Sequence, residues 1–278
     1  MQNEEIKQYL SRTGIRKITE LDTALLETFG QEEGRKHIER LTELFGRSEE
    51  RLLYGTGNSV YLHRQEELVD YLNQSLQMSL LAAAFYDRVF FRRVMEYLCE
   101  YDSFWKGDIF DIGCGNGILT CFLALRHADS CVTGADLSRN AISVAEELAG
   151  KLSVGNVHFT GPNELAHRKC DTLFSSRTVH ENVAWTALRE EHRKAVLSVE
   201  GQEKRHRKYA QELSAFVRSQ GYLVSVERYN DDSAYVGLLC ALERVGFVPV
   251  KGTRVQFSCK NGDESAAFQA MIFQKSRC

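Results

Sequence analysis

The sequence predicts an α/β fold, in which a mostly parallel β-sheet is covered by helices and preceded by a region of helices alone. Apolar residues recur at helical spacing up to about residue 105. After residue 105, short apolar runs alternate with helical patterns, which is typical of a parallel sheet with helices on both faces. The chain has 278 residues, of which 43% are hydrophobic and 26% charged, so it is long enough for one large domain with a smaller partner.

Residues 1–105 are predicted to form a helical cap or substrate region. Ile38, Leu41 and Phe45 share one face of a helix whose predicted end is Gly46. The segment RQEELVDYLNQSLQM has the same helical spacing, and residues 79–100 predict one long helix. Between the first two helices, LLYGTGNSVYLHR predicts a turn or a small hairpin.

Residues 106–278 are predicted to form the sheet domain. The predicted helices are 118–126, 139–149 with Ser138 as N-cap, a long charged region over 183–219, and 233–245. The predicted strands are 109–112, SCVTGAD, NVHF, CDTLFSS, YLVSVER and a final antiparallel pair around Asn261-Gly262.

Charge and cysteine usage narrow the class of protein. The formal net charge is −3, so no global positive field indicates nucleic acid or a membrane surface. The start, MQNEEIKQYL, lacks the apolar core of a signal peptide, and the run MSLLAAAFYDRVFF is too short and too charged to span a bilayer. The eight cysteines form no C-x-x-C pair, so we expect a cytoplasmic protein with no structural metal.

The segment DIFDIGCGNGILT is typical of a nucleotide-binding turn between a strand and a helix. Its glycines, Gly113, Gly115 and Gly117, have G-x-G-x-G spacing, and Ile118 stands where a dinucleotide fingerprint needs its third small residue. Asp111 would repel a pyrophosphate but would suit a ligand that carries an ammonium and a sulfonium. Both details favour S-adenosylmethionine (SAM) over a dinucleotide.

Asp136 ends the second predicted strand, in GADLS. A carboxylate at this position can accept hydrogen bonds from both hydroxyls of an adenosine ribose. This feature fits either ligand, and Asp136 is also a candidate N-terminal helix cap.

With these residues, the sequence resembles the class I SAM-dependent methyltransferases. The resemblance covers about residues 106–278 and is carried, in the expected order, by DIGCGNG, GADLS, VHFTGPN and CDTLFSSRTVHEN. It implies a Rossmann-like seven-stranded sheet, mostly parallel, with an antiparallel last strand. It also implies that SAM is the cofactor.

The resemblance assigns cofactor-binding roles to individual residues. Asp111 and the backbone of Gly113, Cys114, Gly115 and Gly117 would face the methionine part of SAM. The remaining implied contacts are Asp136 with the ribose, Leu137 with the adenine, and Asn163 with the adenine amino group. Asn163 departs from the family, which usually has an acidic residue there, but its side-chain carbonyl can accept the same hydrogen bond.

The catalytic candidates follow from the geometry of methyl transfer. Positioning the two reactants can supply about 7–11 kcal/mol, and a general base is needed only when the nucleophile arrives protonated. His180 is a candidate base, and Glu181 is either a functional group or a helix cap. Arg177 is a candidate for holding an anionic substrate group, and Tyr86 lies on a predicted lid helix from which it would touch ligand.

Missing motifs leave a small molecule as the default acceptor. The sequence contains no [DN]-P-P-[FYW], the common signature for methylating exocyclic base amines, and no Pro-Cys pair, which argues against the cytosine-C5 mechanism. It also shows no two-glutamate loop after the fourth strand, which is expected of protein-arginine methyltransferases. The basic run KRHRK, residues 204–208, is either a solvated helix face or an anion or RNA contact. An RNA or protein methyltransferase, a SAM-binding protein without transferase activity, and an NAD-linked oxidoreductase remain as alternatives.

Overall fold

The computed structural model of the chain describes residues 2–54, 67–179, 198–229, 232–261 and 264–277, and of residues 46–54, 260, 261 and 264 it describes the backbone alone. The predicted turn or hairpin, LLYGTGNSVYLHR, has Gly55, Gly57 and Asn58 at its centre, and these lie outside the described residues. Residues 183–197 of the predicted helical region over 183–219 also lie outside them.

A mixed sheet forms the centre of the described molecule. Its strands are β1 Asp108–Ile112, β2 Cys131–Ala135, β3 Val157–Thr160, β4 Cys170–Ser176, β5 Val217–Arg228, β6 Phe247–Pro249, β7 Val255–Asn261 and β8 Glu264–Lys275. Seven of them follow the order β3-β2-β1-β4-β5-β8-β6, and β7 pairs with β8 off this path. The first five strands in that order are parallel, and β8 is antiparallel to β5, β6 and β7.

Helices cover the sheet and extend from it. They are α1 Gln2–Thr13, α2 Leu21–Phe29, α3 Gln31–Tyr54, α4 over 67–72, α5 Leu76–Ala82, α6 Arg88–Glu100, α7 Ile118–Arg126, α8 Arg139–Leu152, α9 Val199–Phe216 and α10 Asp232–Arg244. A π-helical segment, Ala83–Asp87, joins α5 to α6. Two short 3₁₀ turns span Asp102–Phe104 and Pro162–Leu165.

The alternation of side chains along the buried strands separates two hydrophobic cores. Ile109 and Phe174 belong to the core beneath α1, α6, α7 and α8. Phe110 and Leu173, their neighbours along the chain, belong to the core beneath α9 and α10. Burying a large apolar side chain of this kind contributes about 1.5–3 kcal/mol, so the two faces together hold the sheet between its helices.

The α/β prediction is confirmed, including the antiparallel last strand, and the segments 118–126 and CDTLFSS match α7 and β4 residue for residue. The sheet has eight strands, one more than the resemblance implied, and the predicted final antiparallel pair is present as β7 and β8. The short β6 was not predicted, since three residues ending in Pro249 give no period-two pattern.

Three predicted boundaries are wrong. Gly46 does not end its helix, because α3 continues to Tyr54 at the modest cost of about 1 kcal/mol for an internal glycine. The predicted helix that included Leu76 is interrupted after α4, and the Ser75 hydroxyl accepts a hydrogen bond from the Met78 N–H and starts a new helix. Residues 217–219, predicted to be helical, belong to β5, where Val217 pairs with Cys170.

The amino-terminal helices fall into two groups. Helices α1 and α6 share the large core with α7 and α8, and the Tyr9 hydroxyl donates to the Ile118 carbonyl at 2.5 Å. Helices α2, α3, α4 and α5 surround a separate small core that includes Leu25, Leu41 and Met78. We call the second group, together with the π-helical segment, the cap. Among the helices of the described chain, none combines the length and the apolarity that crossing a membrane would require.

Candidate active site

The glycine loop after β1 is held by the end of β2. The N–H groups of Gly113 and Cys114 both donate to the Ala135 carbonyl, at 2.8 and 3.1 Å. The Gly115 N–H donates to the Asp136 carboxylate at 2.8 Å. The Gly117 N–H turns back to the Cys114 carbonyl at 3.0 Å. These four donors are therefore already used within the protein, whereas a loop that binds pyrophosphate directs such groups at its ligand.

The three alternate glycines have left-handed backbones, with φ of 72° at Gly113, 53° at Gly115 and 74° at Gly117. A Cβ at Gly113 would stand 2.4 Å from the Thr178 methyl, and one at Gly117 would stand 2.7 Å from the Ala145 Cβ. A Cβ at Gly115 would meet no described atom within 4 Å. Gly113 and Gly117 are thus needed for packing, while Gly115 leaves open space for a ligand to approach the backbone.

Asp111 lies under this open space. Its side chain is 2% exposed and accepts a hydrogen bond from the Thr120 hydroxyl at 2.6 Å. The pKa of Asp111 is raised to about 7, chiefly by burial; the Thr120 hydrogen bond opposes this rise and the negative charge of Asp136 adds to it. A cation beside Asp111 would stabilise its ionised form, and the ammonium of SAM is such a cation.

The ends of β2 and β3 lie side by side next to the glycine loop. The Asp136 N–H donates to the Thr160 carbonyl at 3.2 Å, and the carboxylate of Asp136 also accepts from the Ser138 N–H at 2.9 Å. The Leu137 side chain is 82% exposed, an unusual state for a large apolar residue between two polar neighbours. Asn163 is exposed in the 3₁₀ turn that follows β3.

A cleft runs from the glycine loop to the cap. Its lining includes Asp111, Gly113, Cys114 and Gly115 on the cofactor side and Tyr86, Asp87, Phe90, Phe174, Ser176 and Arg177 on the other side. Tyr86, which the sequence predicts to contact ligand from a lid helix, is one of the residues that line this cleft. Burial raises the pKa of Tyr86 to about 12, with the charges of Asp22 and Asp87 adding to the effect, so its phenol stays protonated at neutral pH.

The end of β4 contributes Ser176 and the charged Arg177 to the lining of this cleft. Arg177 has a left-handed backbone with φ of 60°, which is uncommon for a residue with a side chain and is frequent at functional sites. Its guanidinium forms a fork with the Asp87 carboxylate, at 2.7 and 3.2 Å, and lies 4.4 Å from the Phe90 ring centroid. The buried Ser176 hydroxyl beside it has no hydrogen-bond partner among the described residues.

Polar contacts attach the cap to the cofactor loops at several points. Asn116 of the glycine loop donates to the Ser79 hydroxyl at 3.0 Å. The Ser138 hydroxyl, after β2, donates to the Asp70 carboxylate at 2.6 Å. Together with the Arg177–Asp87 pair, these contacts connect the cap to the ends of β1, β2 and β4 within the described part of the chain. The sequence did not single out Ser79, Asp70 or Asp87, because their partners lie 37 to 90 positions away along the chain.

Two of the catalytic candidates cannot be placed. His180 and Glu181 lie outside the described residues, just after Val179. Both remain predictions of the sequence.

The basic run is part of α9, and its charges are largely neutralised along the helix. Lys204 pairs with Glu200, Arg207 with Glu203, and Lys208 with Glu212, each one turn apart. His206 is buried, and burial lowers the pKa of Arg205. The run does not form an open positive stripe of the kind that tracks a phosphate backbone. No group of three or more His, Cys, Asp or Glu among the described side chains is arranged to hold a metal ion.

The donor set fits SAM better than a dinucleotide. Four N–H groups of the glycine loop donate within the protein, and the buried Asp111 lines the same cleft as Gly115. Asp136 and the exposed Leu137 follow at the next strand end. These groups match a ligand with an ammonium, a ribose and an adenine. The fold and site therefore define a nucleotide-binding α/β domain for a cationic adenosyl ligand.

Comparison with known families agrees with this definition. The family model described as a methyltransferase domain matches residues 109–201, which contain the glycine loop, β2, β3 and β4. The chain therefore contains a SAM-dependent methyltransferase domain, as the resemblance predicted. No curated protein matches it.

Among solved structures, three similar chains illustrate the fold. Magnesium protoporphyrin IX methyltransferase from Synechocystis PCC 6803, solved with bound SAM, is 17% identical with a TM-score of 0.48, over 94% of this chain and 100% of that one. A methyltransferase from Pyrococcus furiosus is 14% identical with a TM-score of 0.46, over 66% and 82%. Precorrin-6y C5,15-methyltransferase from Geobacter metallireducens is 11% identical with a TM-score of 0.44, over 65% and 87%. At this level of similarity the neighbours say nothing about the acceptor of this chain.

Proposed function

We propose that this methyltransferase transfers the methyl group of SAM to an O, N, S or C atom of a small-molecule acceptor in the cytoplasm, with residues 1–105 as the cap of a catalytic domain formed by 106–278. The observation that carries the proposal is the cleft shared by the glycine loop and the cap. A helical cap tied to three strand ends covers the place where the acceptor must enter. Such a covered cleft favours a compact acceptor over a polymer. The seven described cysteines are all free, as a reducing compartment requires.

The cofactor side of the cleft is proposed to bind SAM through residues from two strand ends. When bound, SAM supplies a methyl group activated by its sulfonium. Asp111 holds the ammonium, the Gly113–Gly117 backbone with Cys114 borders the methionine part, and Asp136 accepts from the ribose hydroxyls. Leu137 and Asn163 contact the adenine. Ionised Asp111 is the form that binds, because its carboxylate then faces a positive charge.

The acceptor side is proposed to orient the nucleophile and exclude water. Ser176 offers a hydroxyl that has no hydrogen-bond partner among the described residues, and Arg177 offers a guanidinium that lies against Phe90. Tyr86 acts as a hydrogen-bond donor, since its raised pKa prevents it from serving as a base at neutral pH. Orientation of this kind supplies most of the rate enhancement that a methyl displacement needs. His180 or Glu181 would act as the base for an acceptor that arrives protonated.

Transfer of a labelled methyl group tests the class of acceptor. The enzyme is incubated with tritiated SAM and, separately, with a cell extract filtered to below roughly 3 kDa, with total RNA and with total protein; the cut-off reflects the compact pocket. We expect label in the small-molecule fraction, and we expect the Arg177→Gln variant to reduce it while still binding S-adenosylhomocysteine. Label in RNA or protein alone would replace the small-molecule proposal with one of those acceptors. No label in any fraction, with cofactor bound, would favour a binding protein.

A further inference from the structure

A buried cluster of polar side chains lies next to the end of β4, where Ser176 and Arg177 line the acceptor side of the cleft. The carboxyl group of Glu227, at the end of β5, is 0% exposed. It faces the hydroxyls of Ser175, Thr178 and Tyr209, which are also buried. Neither the cofactor loops nor the lining of the cleft include Glu227, so the methyl-transfer site described above gives it no role.

Glu227 anchors the backbone that follows β4. Its Oε2 accepts a hydrogen bond from the Val179 N–H at 3.2 Å. The segment from Arg177 to Val179 contains the Arg177 guanidinium, which lines the acceptor side of the cleft, and it precedes His180 in the sequence. It also contains Thr178, whose methyl group fills the space where a Cβ on Gly113 would stand. The buried Glu227 side chain thus holds the backbone of a segment that borders both the cofactor side and the acceptor side of the cleft.

The distances within the cluster indicate which form of Glu227 is present. The three hydroxyl oxygens contact one another at 2.7 Å (Ser175–Thr178), 2.7 Å (Ser175–Tyr209) and 2.5 Å (Thr178–Tyr209). Three such contacts require three hydrogens, which is all that three hydroxyls carry. Oε1 of Glu227 lies 3.1 Å from the Ser175 oxygen and 3.3 Å from the Thr178 oxygen, so at least one of these two contacts needs a further hydrogen.

The carboxyl group can supply that hydrogen when it is protonated. An ionised Glu227 would instead require the hydroxyls to turn toward it, leaving short oxygen–oxygen contacts without a hydrogen between them. The titratable groups that face it, Tyr209 of α9 and Tyr229 after β5, both have a pKa raised well above 10 and carry no charge at neutral pH. Burial raises the pKa of Glu227 itself to about 7, and its hydrogen bonds with the Val179 N–H and with Ser175 and Thr178 act against that rise.

We propose that Glu227 is a positioning residue of this methyltransferase: as a neutral acid it donates to the hydroxyl cluster, accepts from the Val179 N–H, and so fixes the segment Arg177–Val179 for the acceptor. This role rests on the proposed function of the cleft. It acts through the backbone and through Arg177, not by contact with the acceptor. Because a glutamine has one donor end and one acceptor end, Glu227→Gln can reproduce both hydrogen bonds, whereas Glu227→Ala removes both.

Hydrogen exchange of the intact protein tests the anchor without an acceptor. Mass spectrometry follows peptides covering residues 175–179 and, for comparison, residues 113–120. In Glu227→Ala we expect exchange at 177–179 to be at least about tenfold faster, with residues 113–120 changed less than about twofold. Glu227→Gln should match wild type at both places. Unchanged exchange at 177–179 in Glu227→Ala would overturn the anchor, and a Gln variant that behaves like the Ala variant would overturn the neutral-acid form.

The same variants then separate positioning from general stability. In the labelled transfer assay with the fraction that wild type methylates, Glu227→Ala should lower kcat at least about tenfold while the affinity for S-adenosylhomocysteine stays within about threefold. Glu227→Gln should restore kcat to within about threefold of wild type. Equal loss of cofactor affinity and kcat in both variants would show a purely structural role. If Glu227→Ala does not fold, Tyr209→Phe and Glu227→Asp replace it. Tyr209→Phe keeps the hydrogen bond from the Val179 N–H, so residues 177–179 should exchange as in wild type. Glu227→Asp has a shorter side chain that holds this N–H less well, so residues 177–179 should exchange faster.

Discussion

The two sides of the cleft are built in different ways. The cofactor side is a continuous stretch: β1, the glycine loop and α7 follow one another along the chain, and β2 adds Asp136 about twenty residues later. The acceptor side brings together Tyr86 and Asp87 from the cap, Arg177 from the end of β4 and Glu227 from the end of β5. On the proposed function, the difference teaches that residues close together in the sequence would hold the cofactor, while residues distant in the sequence would hold the acceptor.

The largest expected effect falls on the cofactor side. Asp136→Ala removes the acceptor of the Gly115 N–H and of the ribose hydroxyls, and we expect affinity for S-adenosylhomocysteine to fall about 100-fold or more, since hydrogen bonds to charged groups contribute about 1.5–3 kcal/mol each. Calorimetric titration measures it. Asp129→Ala, an exposed aspartate before β2, is the control and should bind like wild type. An Asp136 variant with wild-type affinity would remove this residue from the site.

Two glycines of the same loop separate ligand contact from packing. A methyl at Gly115 would project into the cleft, so we expect Gly115→Ala to weaken cofactor affinity about 5- to 150-fold, the range of a 1–3 kcal/mol steric cost. A methyl at Gly113 would instead meet Thr178 at 2.4 Å, so Gly113→Ala should lower the Tm more than Gly115→Ala does. Titration and thermal unfolding of both variants compare the effects. The reverse ranking would mean that the cleft opens at Gly113.

The cofactor side should also respond to pH through Asp111. Its pKa without ligand is about 7, and the form that binds a cation is ionised, so affinity should rise with pH. Between pH 6 and pH 8 we expect S-adenosylhomocysteine to bind about tenfold more tightly, because a carboxyl of this pKa goes from mostly protonated to mostly ionised. In Asp111→Asn this dependence should vanish. A wild-type affinity that is flat, or that falls over this range, would contradict the assignment.

The smallest effect on the cofactor is expected from the acceptor side. Arg177→Gln breaks the fork with Asp87 but leaves the glycine loop and Asp136 intact, so cofactor affinity should change less than about threefold while methyl transfer falls. Arg92→Gln, which loses only an exposed pair with Glu96, is the matched control for both measurements. If Arg177→Gln lowered the affinity for S-adenosylhomocysteine as much as Asp136→Ala does, Arg177 would belong to the cofactor side, and the division of the cleft into two sides would be wrong.

The same contrast determines what the sequence could reveal. The glycine loop, Asp111 and Asp136 could be recognised because residue type and spacing carry the chemistry within a few turns of the chain. The Arg177–Asp87 pair could not, because 90 positions separate its members and only the folded cap brings them together. Glu227 could have been found from the sequence, because it is an acidic residue inside the apolar segment YLVSVER. His180 and Glu181, which the sequence predicts from their position just after the fourth strand, lie outside the described residues.

The central claim is that the cleft beside the glycine loop holds a cationic adenosyl ligand and not a dinucleotide. Calorimetric titration of the wild-type protein with S-adenosylhomocysteine, followed by the same titration in the presence of excess NAD⁺, tests it most directly. We expect one molecule of S-adenosylhomocysteine to bind per chain with an affinity that NAD⁺ does not change. Tight binding of NAD⁺ with no binding of S-adenosylhomocysteine would contradict the account.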